Sequence, residues 1–192
     1  MRVETVGLEG VLVLVPETHH DERGLFTRTF DSTVARGHGI DPGSFVQDSQ
    51  SRSLQGVVRA LHGRSGAGES KLVRCANGAV WDVVVDARPQ SPTFGQWATT
   101  VLDDVEFRHL FIPAGFLHGH QTLTTTSDVC YRIDREHVTE EDLSVHYADP
   151  DLAIPWPRPV TLVSGRDRAA GSWAHLASAL RNGLGQGLGN GG

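Results

Sequence analysis

A chain of 192 residues with 39% hydrophobic and 21% charged side chains has material for one folded unit with a core, and lacks both a disordered composition and a fibrous repeat. Its net charge of −6 argues against a nucleic-acid binder working through phosphate contacts. No run approaches the roughly 20 apolar residues of a membrane helix, and the first ten residues lack the apolar stretch of a secretory signal, so a cytosolic protein is expected. Cys75 and Cys130 sit in separate apolar runs without metal or disulfide spacing and read as packed thiols. Ten histidines are the feature that needs explaining.

The run Gly10 to Val15, closed by Pro16, is β-branched and short, and reads as the first strand, buried or at a sheet edge. His19 to Gly24 reads as a polar turn, and Leu25 to Phe30 as a second extended piece. A short helical stretch from Asp31 to His38 has Asp31 or Ser32 as its cap. Lys71 to Ala76 and Ala79 to Asp86 flank Asn77-Gly78, the sequence of a two-residue hairpin turn. Further strands are predicted at 96–102, 107–112, 118–123 and 128–133, and a helix only at Ser172 to Arg181. Many short strands separated by Pro and Gly clusters predict an all-β antiparallel sandwich or barrel with a short C-terminal helical segment. Residues 1–182 form its single expected domain, and the glycine-rich 183–192 a flexible tail.

Pro113-x-Gly115-x-x-His118 resembles the second motif of the cupin jelly rolls, where a tight turn and the following strand aim a histidine into the barrel. The first cupin motif brings a His-x-His pair, but here the segment is His62-Gly63-Arg64, and a cation in the second ligand position argues against a metal centre. A closer resemblance runs in order from about Gly7 to Arg168. Asp21 to Phe26, Phe45 to Ser49, Gly56 to His62, Lys71 to Arg74, Asp82 to Asp86, Ser91 to Trp97, Ile112 to Gly119, Asp149-Pro150 and Ser164 to Asp167 are together similar to the dTDP-4-dehydrorhamnose 3,5-epimerase family and its antibiotic-sugar relatives.

The resemblance implies a cupin-type jelly roll that epimerises a dTDP-linked 4-keto-6-deoxy sugar at C3, C5 or both, without a cofactor or metal. A C–H beside a ketone is acidic because its carbanion delocalises onto oxygen, so the reaction needs a base, a stabiliser of the enolate and an acid on the opposite face. The resemblance gives these roles to His62 as base, oriented by Asp167, to Lys71 as enolate stabiliser and to Tyr131 as acid. It places Arg23, Arg59 and Arg166 against the diphosphate and sugar, Gln47 and Ser49 as polar contacts, Phe26 and His137 at the thymine, Asp142 at an acidic contact position and His118 as a polar wall. It also implies a homodimer in which an N-terminal strand joins the neighbouring sheet and covers the edge left open by Gly10 to Val15.

This chain departs from the family in the ligand shell. Gly63-Arg64 stands where the family commonly has Tyr-Gln, Ser49 replaces Asn, Arg28 an acidic residue and His137 a stacking Tyr. Read locally, Lys71 is a solvated strand end, Tyr131 a packed aromatic and Asp167 a turn or cap; only the resemblance gathers them into a site. A metal-dependent cupin oxygenase and a non-catalytic nucleotide-sugar binder are the competing functions.

Overall fold

The computed structural model describes residues 1–183. Its strands, in chain order, are β1 (Arg2–Thr5), β2 (Leu12–Val15), β3 (Thr18–Asp21), β4 (Gly24–Thr27), β5 (Gln47–Leu54), β6 (Val58–Arg64), β7 (Lys71–Asn77), β8 (Ala79–Asp86), β9 (Trp97–Asp103), β10 (His109–Ile112), β11 (Phe116–Thr122), β12 (Thr126–Ile133) and β13 (Asp142–Ser144). The α-helices are α1 (Ser32–Gly37), α2 (Gly165–Arg168) and α3 (Trp173–Arg181). All the pairings between these strands are antiparallel, in a six-stranded sheet ordered β1-β2-β10-β7-β12-β5 and a five-stranded sheet ordered β13-β6-β11-β8-β9. This is a jelly-roll sandwich, and β3 with β4 form a separate hairpin beside it.

Strand alternation builds three apolar layers. Val13 and Val15 of β2, Val73 and Cys75 of β7, Val80 and Val84 of β8, Phe116 of β11 and Val129 of β12 meet between the sheets. The opposite face of the five-stranded sheet, through Leu61, Val83, Val85 and Leu117, is covered by Trp173, Leu176 and Ala177 of α3. Leu14 and Leu72 on the outer face of the other sheet pack under Ala35 of α1 and Ile40. Asp31 caps α1 by accepting from the Thr33 and Val34 amides at 2.9 and 3.2 Å, a contact worth about 1 kcal/mol.

Several resemblance motifs prove to be fasteners of this frame. Asp86 accepts from Arg88, Ser91 and Thr93 at 2.6 to 3.0 Å, tying the Ser91 to Thr93 loop to the end of β8. Asp149 accepts from the Trp173 amide at 2.9 Å and so holds the start of α3.

The structure corrects four expectations. Asn77-Gly78 is no hairpin: β7 belongs to the six-stranded sheet and β8 to the five-stranded one, so the turn carries the chain between layers. Positive φ, which Gly78 has at +75°, specifies the turn but not which strands pair. The run Gly10 to Val15 is buried at Val11 and from Val13 to Val15, as one of its two readings had it, but leaves no edge for a neighbour's strand to cover, because β1, too short and mixed to show a pattern, pairs with β2 and takes the edge itself. His19 to Gly24 is half strand, since His19 and His20 pair with Phe26 and Leu25. Cys75 is buried, but Cys130 only partly so. Apart from Gly183, the expected tail lies outside the described residues.

Candidate active site

A cleft of about 740 Å³ opens between the sheets. The same alternation that points valines inward points Lys71 of β7, Asp82 of β8, His118 and His120 of β11 and Tyr131 of β12 into the interior. Asp82 alone of these does not line the cleft directly; it meets it through His118. From β6 come Arg59, His62 and Arg64. Arg59 and His62 are three apart and in a regular strand face opposite sides. The β6–β11 pairing shifts register between His118 and His120, which pair with His62 and Arg59, and this irregularity brings both side chains to one cleft.

His62 Nε2 lies 2.7 Å from Asp167 Oδ1. Ser164 caps the short α2 by accepting from the Asp167 amide at 3.0 Å, which turns the Asp167 carboxylate back toward β6. Burial raises the Asp167 pKa, but the hydrogen bond and charge of His62, with Ser164 and the Ala60 amide, outweigh it and leave the carboxyl below its ordinary value. An ionised Asp167 accepts a hydrogen bond from Nε2–H and leaves Nδ1 of a half-buried imidazole as a lone-pair acceptor.

Lys71 is 9% exposed, not a solvated strand end. Its Nζ lies 2.9 Å from Glu69 Oε1, and the second oxygen of Glu69 lies 2.6 Å from Arg64 Nε. Arg64 is itself buried and donates to the Val138 carbonyl at 3.2 Å. Gly63, between His62 and Arg64, has no room for a side chain: a Cβ there meets the Phe116 carbonyl at 2.8 Å and Leu117 at 2.9 Å.

Beneath these lies a second polar group. His118 Nε2 and Asp82 Oδ2 are 2.8 Å apart, and the rings of His118, His120 and Tyr131 stand 6.2 to 6.4 Å from one another. Burial pushes the Asp82 carboxyl up to about 8, against the pull of His120 and Lys71. Burial, with the charge of Lys71, holds His118 far below the usual histidine range, and burial takes His120 down to about 3. Burial thus favours the uncharged forms of this carboxyl and these two imidazoles. Asp82, His118 and His120 are also the three residues, among those described, whose donor atoms converge within 4.8 Å as metal ligands do. Two of those donors share a hydrogen bond, and His62 and Arg64 of the cupin-like first motif are not among them. Tyr131 Oη is 3.3 Å from Ser51 Oγ, and burial raises its pKa, so the phenol keeps its proton.

Of the expected binding residues, Gln47, Ser49, Arg59, His118, His137, Asp142 and Arg166 line this cleft with the four expected catalytic groups. Arg166 donates to Asp142 at 2.8 Å and His137 lies 3.3 Å from the same oxygen. Arg59 donates to Ser53 Oγ at 2.9 Å and has no ion-pair partner among the described residues. Arg23 and Phe26 are not brought in. They sit on the β3–β4 hairpin, the Arg23 side chain 85% exposed and paired with Asp21, Phe26 69% exposed. Glu69, Asp82 and His120 are further polar groups at or beneath this cleft to which the family resemblance gives no role. For Asp82 and His120 the signal was a polar side chain on the inward face of strands that are otherwise apolar; Glu69, in the loop before β7, had none.

The profile of the dTDP-4-dehydrorhamnose 3,5-epimerase family matches residues 5–175. The dTDP-4-dehydrorhamnose 3,5-epimerase of Escherichia coli is 38% identical over 164 residues, 85% of this chain and 89% of the relative. The dTDP-4-dehydrorhamnose 3-epimerase of Streptomyces niveus is also 38% identical, over 88% of this chain and 83% of its own. A crystal structure of the Legionella pneumophila dTDP-6-deoxy-D-glucose-3,5-epimerase in complex with dTDP-4-keto-L-rhamnose superposes with a TM-score of 0.84 at 37% identity, covering 91% of this chain and 96% of that one. With the dyad, the buried lysine and the jelly roll in place, the chain belongs to the dTDP-4-dehydrorhamnose 3,5-epimerase family.

Proposed function

We propose that the cleft epimerises a dTDP-linked 4-keto-6-deoxyhexose at C3, C5 or both. The observation that carries this reading is the division of labour between the layers: His62 projects from the five-stranded sheet, whereas Tyr131 and Lys71 project from the six-stranded sheet facing it. A sugar ring lying between them meets a base on one face and an acid on the other, which inversion at carbon requires. His62 Nδ1 takes the proton α to the ketone, and the C–H electron pair moves onto the ketone oxygen. The Lys71 ammonium stabilises the resulting enolate, and Tyr131 delivers a proton to the opposite face of the same carbon. Exchange with water then removes the proton from His62 and returns one to Tyr131. Every electron pair stays within substrate and side chains, so the step calls for no cofactor.

Arg59 and Arg166 are the proposed diphosphate contacts, with Gln47, Ser49, His137 and Asp142 around the nucleotide and His118 as the polar wall. Arg23 and Phe26 fit the same proposal only in a homodimer, where the exposed β3–β4 hairpin of one protomer reaches the cleft of the other. The catalytic unit is residues 1–182, taken as a single domain in a cytosolic enzyme. Both carbons are included because a 3,5-epimerase and a 3-epimerase are each 38% identical to this chain.

The test is turnover of dTDP-4-keto-6-deoxyglucose by protein stripped of metal. A C3 or C5 epimer forms, and added chelator leaves its rate unchanged. Loss of turnover on stripping, with recovery on adding a divalent ion, is the result of a metal-dependent cupin and contradicts the proposal. Nucleotide binding with no turnover, unaltered in His62→Ala, is the result of a binder.

A further inference from the structure

Arg64 and Glu69 lie outside the roles set out above, yet both are buried at the cleft beside Lys71. A buried arginine needs a partner, because an uncompensated charge taken out of water costs several kcal/mol. Glu69 supplies it as an ion pair, with a side chain 7% exposed and its oxygens 2.6 Å from Arg64 Nε and 2.9 Å from Lys71 Nζ; the contact with Arg64 Nε is one of charge rather than of hydrogen-bond alignment. Arg64 is anchored in turn by the Val138 carbonyl, and its Nη2 stands 3.9 Å from Asp142, the carboxylate that holds Arg166. The charges alternate from one end of the cleft to the other: Lys71, Glu69, Arg64, Asp142, Arg166.

We infer that Glu69 and Arg64 are a matched pair of positioning residues that fix the Lys71 ammonium where the enolate oxygen develops. Lys71 sits on a flexible four-carbon stem, and a point charge on such a stem is useful to a transition state only if something holds it still. Glu69 does so, and Arg64 holds Glu69. The pairing accounts for the departure of this chain from the glutamine that the family commonly carries at position 64. Arg64 is tolerated because Glu69 is there to receive it, and it does not offer its charge to the substrate. Each of the two requires the other. In Glu69→Gln with Arg64 retained, one amide oxygen faces two cations and the amide N–H₂ faces one of them, so Lys71 is released. With glutamine at both positions, the amide carbonyl at position 69 accepts from Lys71 while its N–H₂ donates to the amide carbonyl at position 64, and the lysine is held again without any buried charge pair.

This inference rests on the epimerase reading for its kinetic consequence but not for its geometric one, and the test separates them. Glu69→Gln, Arg64→Gln and the double variant are compared with the native protein in steady-state turnover of dTDP-4-keto-6-deoxyglucose, in dTDP affinity and in ¹⁵N spectra of the lysine Nζ groups. Glu69→Gln is expected to lower kcat about 30-fold, less than deleting an oxyanion partner outright, with KM and dTDP affinity within about threefold of native. It also loses the slowly exchanging Lys71 Nζ signal. Adding Arg64→Gln restores the signal and brings kcat back to within about threefold. A kcat unaltered in Glu69→Gln overturns the inference. So does a loss of substrate binding, dTDP affinity and thermal midpoint together, which marks a strut of the fold, or a double variant no better than the single one. Should Glu69→Gln fail to fold, a folded double variant with native kcat supports the pairing and one with low kcat refutes it. Should the native protein turn over no 4-keto sugar, the epimerase reading falls, and the Lys71 signal across the three variants still decides the positioning.

Discussion

His62 and Asp167 are 105 positions apart in sequence and 2.7 Å apart in space. On the proposed mechanism, replacing either by Asn keeps the shape and removes the function: His62→Asn loses the acceptor nitrogen, and Asp167→Asn loses the charge that steadies the imidazole. Proton exchange at the α carbon is expected to fall at least about 1,000-fold in both, with dTDP affinity, read by calorimetry, within about threefold of native. Unchanged exchange refutes the dyad. Tyr131→Phe separates the two half-reactions. His62 still removes and returns a proton on its own face, so solvent exchange persists while inversion falls about 100-fold. What the residues themselves disclosed follows from this chemistry. A lone His62, Lys71 or Asp167 has a bland local explanation, and the ordered family motifs were needed to bring them together. Glu69 went unseen because its role depends on Arg64, a departure from the pattern, and sequence alone does not show where a departing side chain finds its counter-charge.

At the scale of elements, most strands were legible because alternation and β-branched runs are local, whereas sheet partnership is not. The Asn77-Gly78 turn is the plainest case. A glycine at φ +75° suits a tight reversal within one sheet and a step between sheets equally well. A Cβ on Gly78 collides with the Thr126 carbonyl and with Thr124 Oγ1. Gly78→Ala therefore costs about 2 kcal/mol or more, from backbone strain and overpacking, measured as a lower urea midpoint at constant m-value. A native midpoint in the variant contradicts the corner described here. The register shift of β6 against β11 is likewise invisible in sequence, and without it Arg59 and His62 do not share a cleft.

At the scale of the whole molecule, three buried histidines contribute to the response to acid. His109, which burial with Arg74 and Arg132 pushes down to about 3, is neutral in the folded state, like His118 and His120. Each binds a proton on unfolding once the pH is below about 6.5, and together the three outweigh the one proton that Asp82 gives up, so the unfolded chain gains protons on balance and stability falls with falling pH. The slope reaches about 1.4 kcal/mol per pH unit for each such histidine. His109→Gln is expected to flatten that slope by one histidine's share between pH 6 and 4, and an unaltered slope counts against its being buried neutral. The same scale holds the proposed dimer. If the β3–β4 hairpin serves the neighbouring cleft, His62→Asn and Arg23→Ala proteins, each nearly inactive, regain activity on mixing, because a mixed dimer has one cleft with both residues intact. No recovery after subunit exchange places the hairpin elsewhere.

Beneath these lies one claim, that the space between the sheets removes a proton beside a ketone and returns one to the other face. Its most direct test is incubation of the native protein with dTDP-4-keto-6-deoxyglucose in deuterated water, followed by NMR of the sugar. Solvent deuterium is expected at C3, at C5 or at both, accompanied by inversion at the labelled carbon. A sugar recovered with its C3 and C5 protons intact, from this and related 4-keto substrates, contradicts that claim.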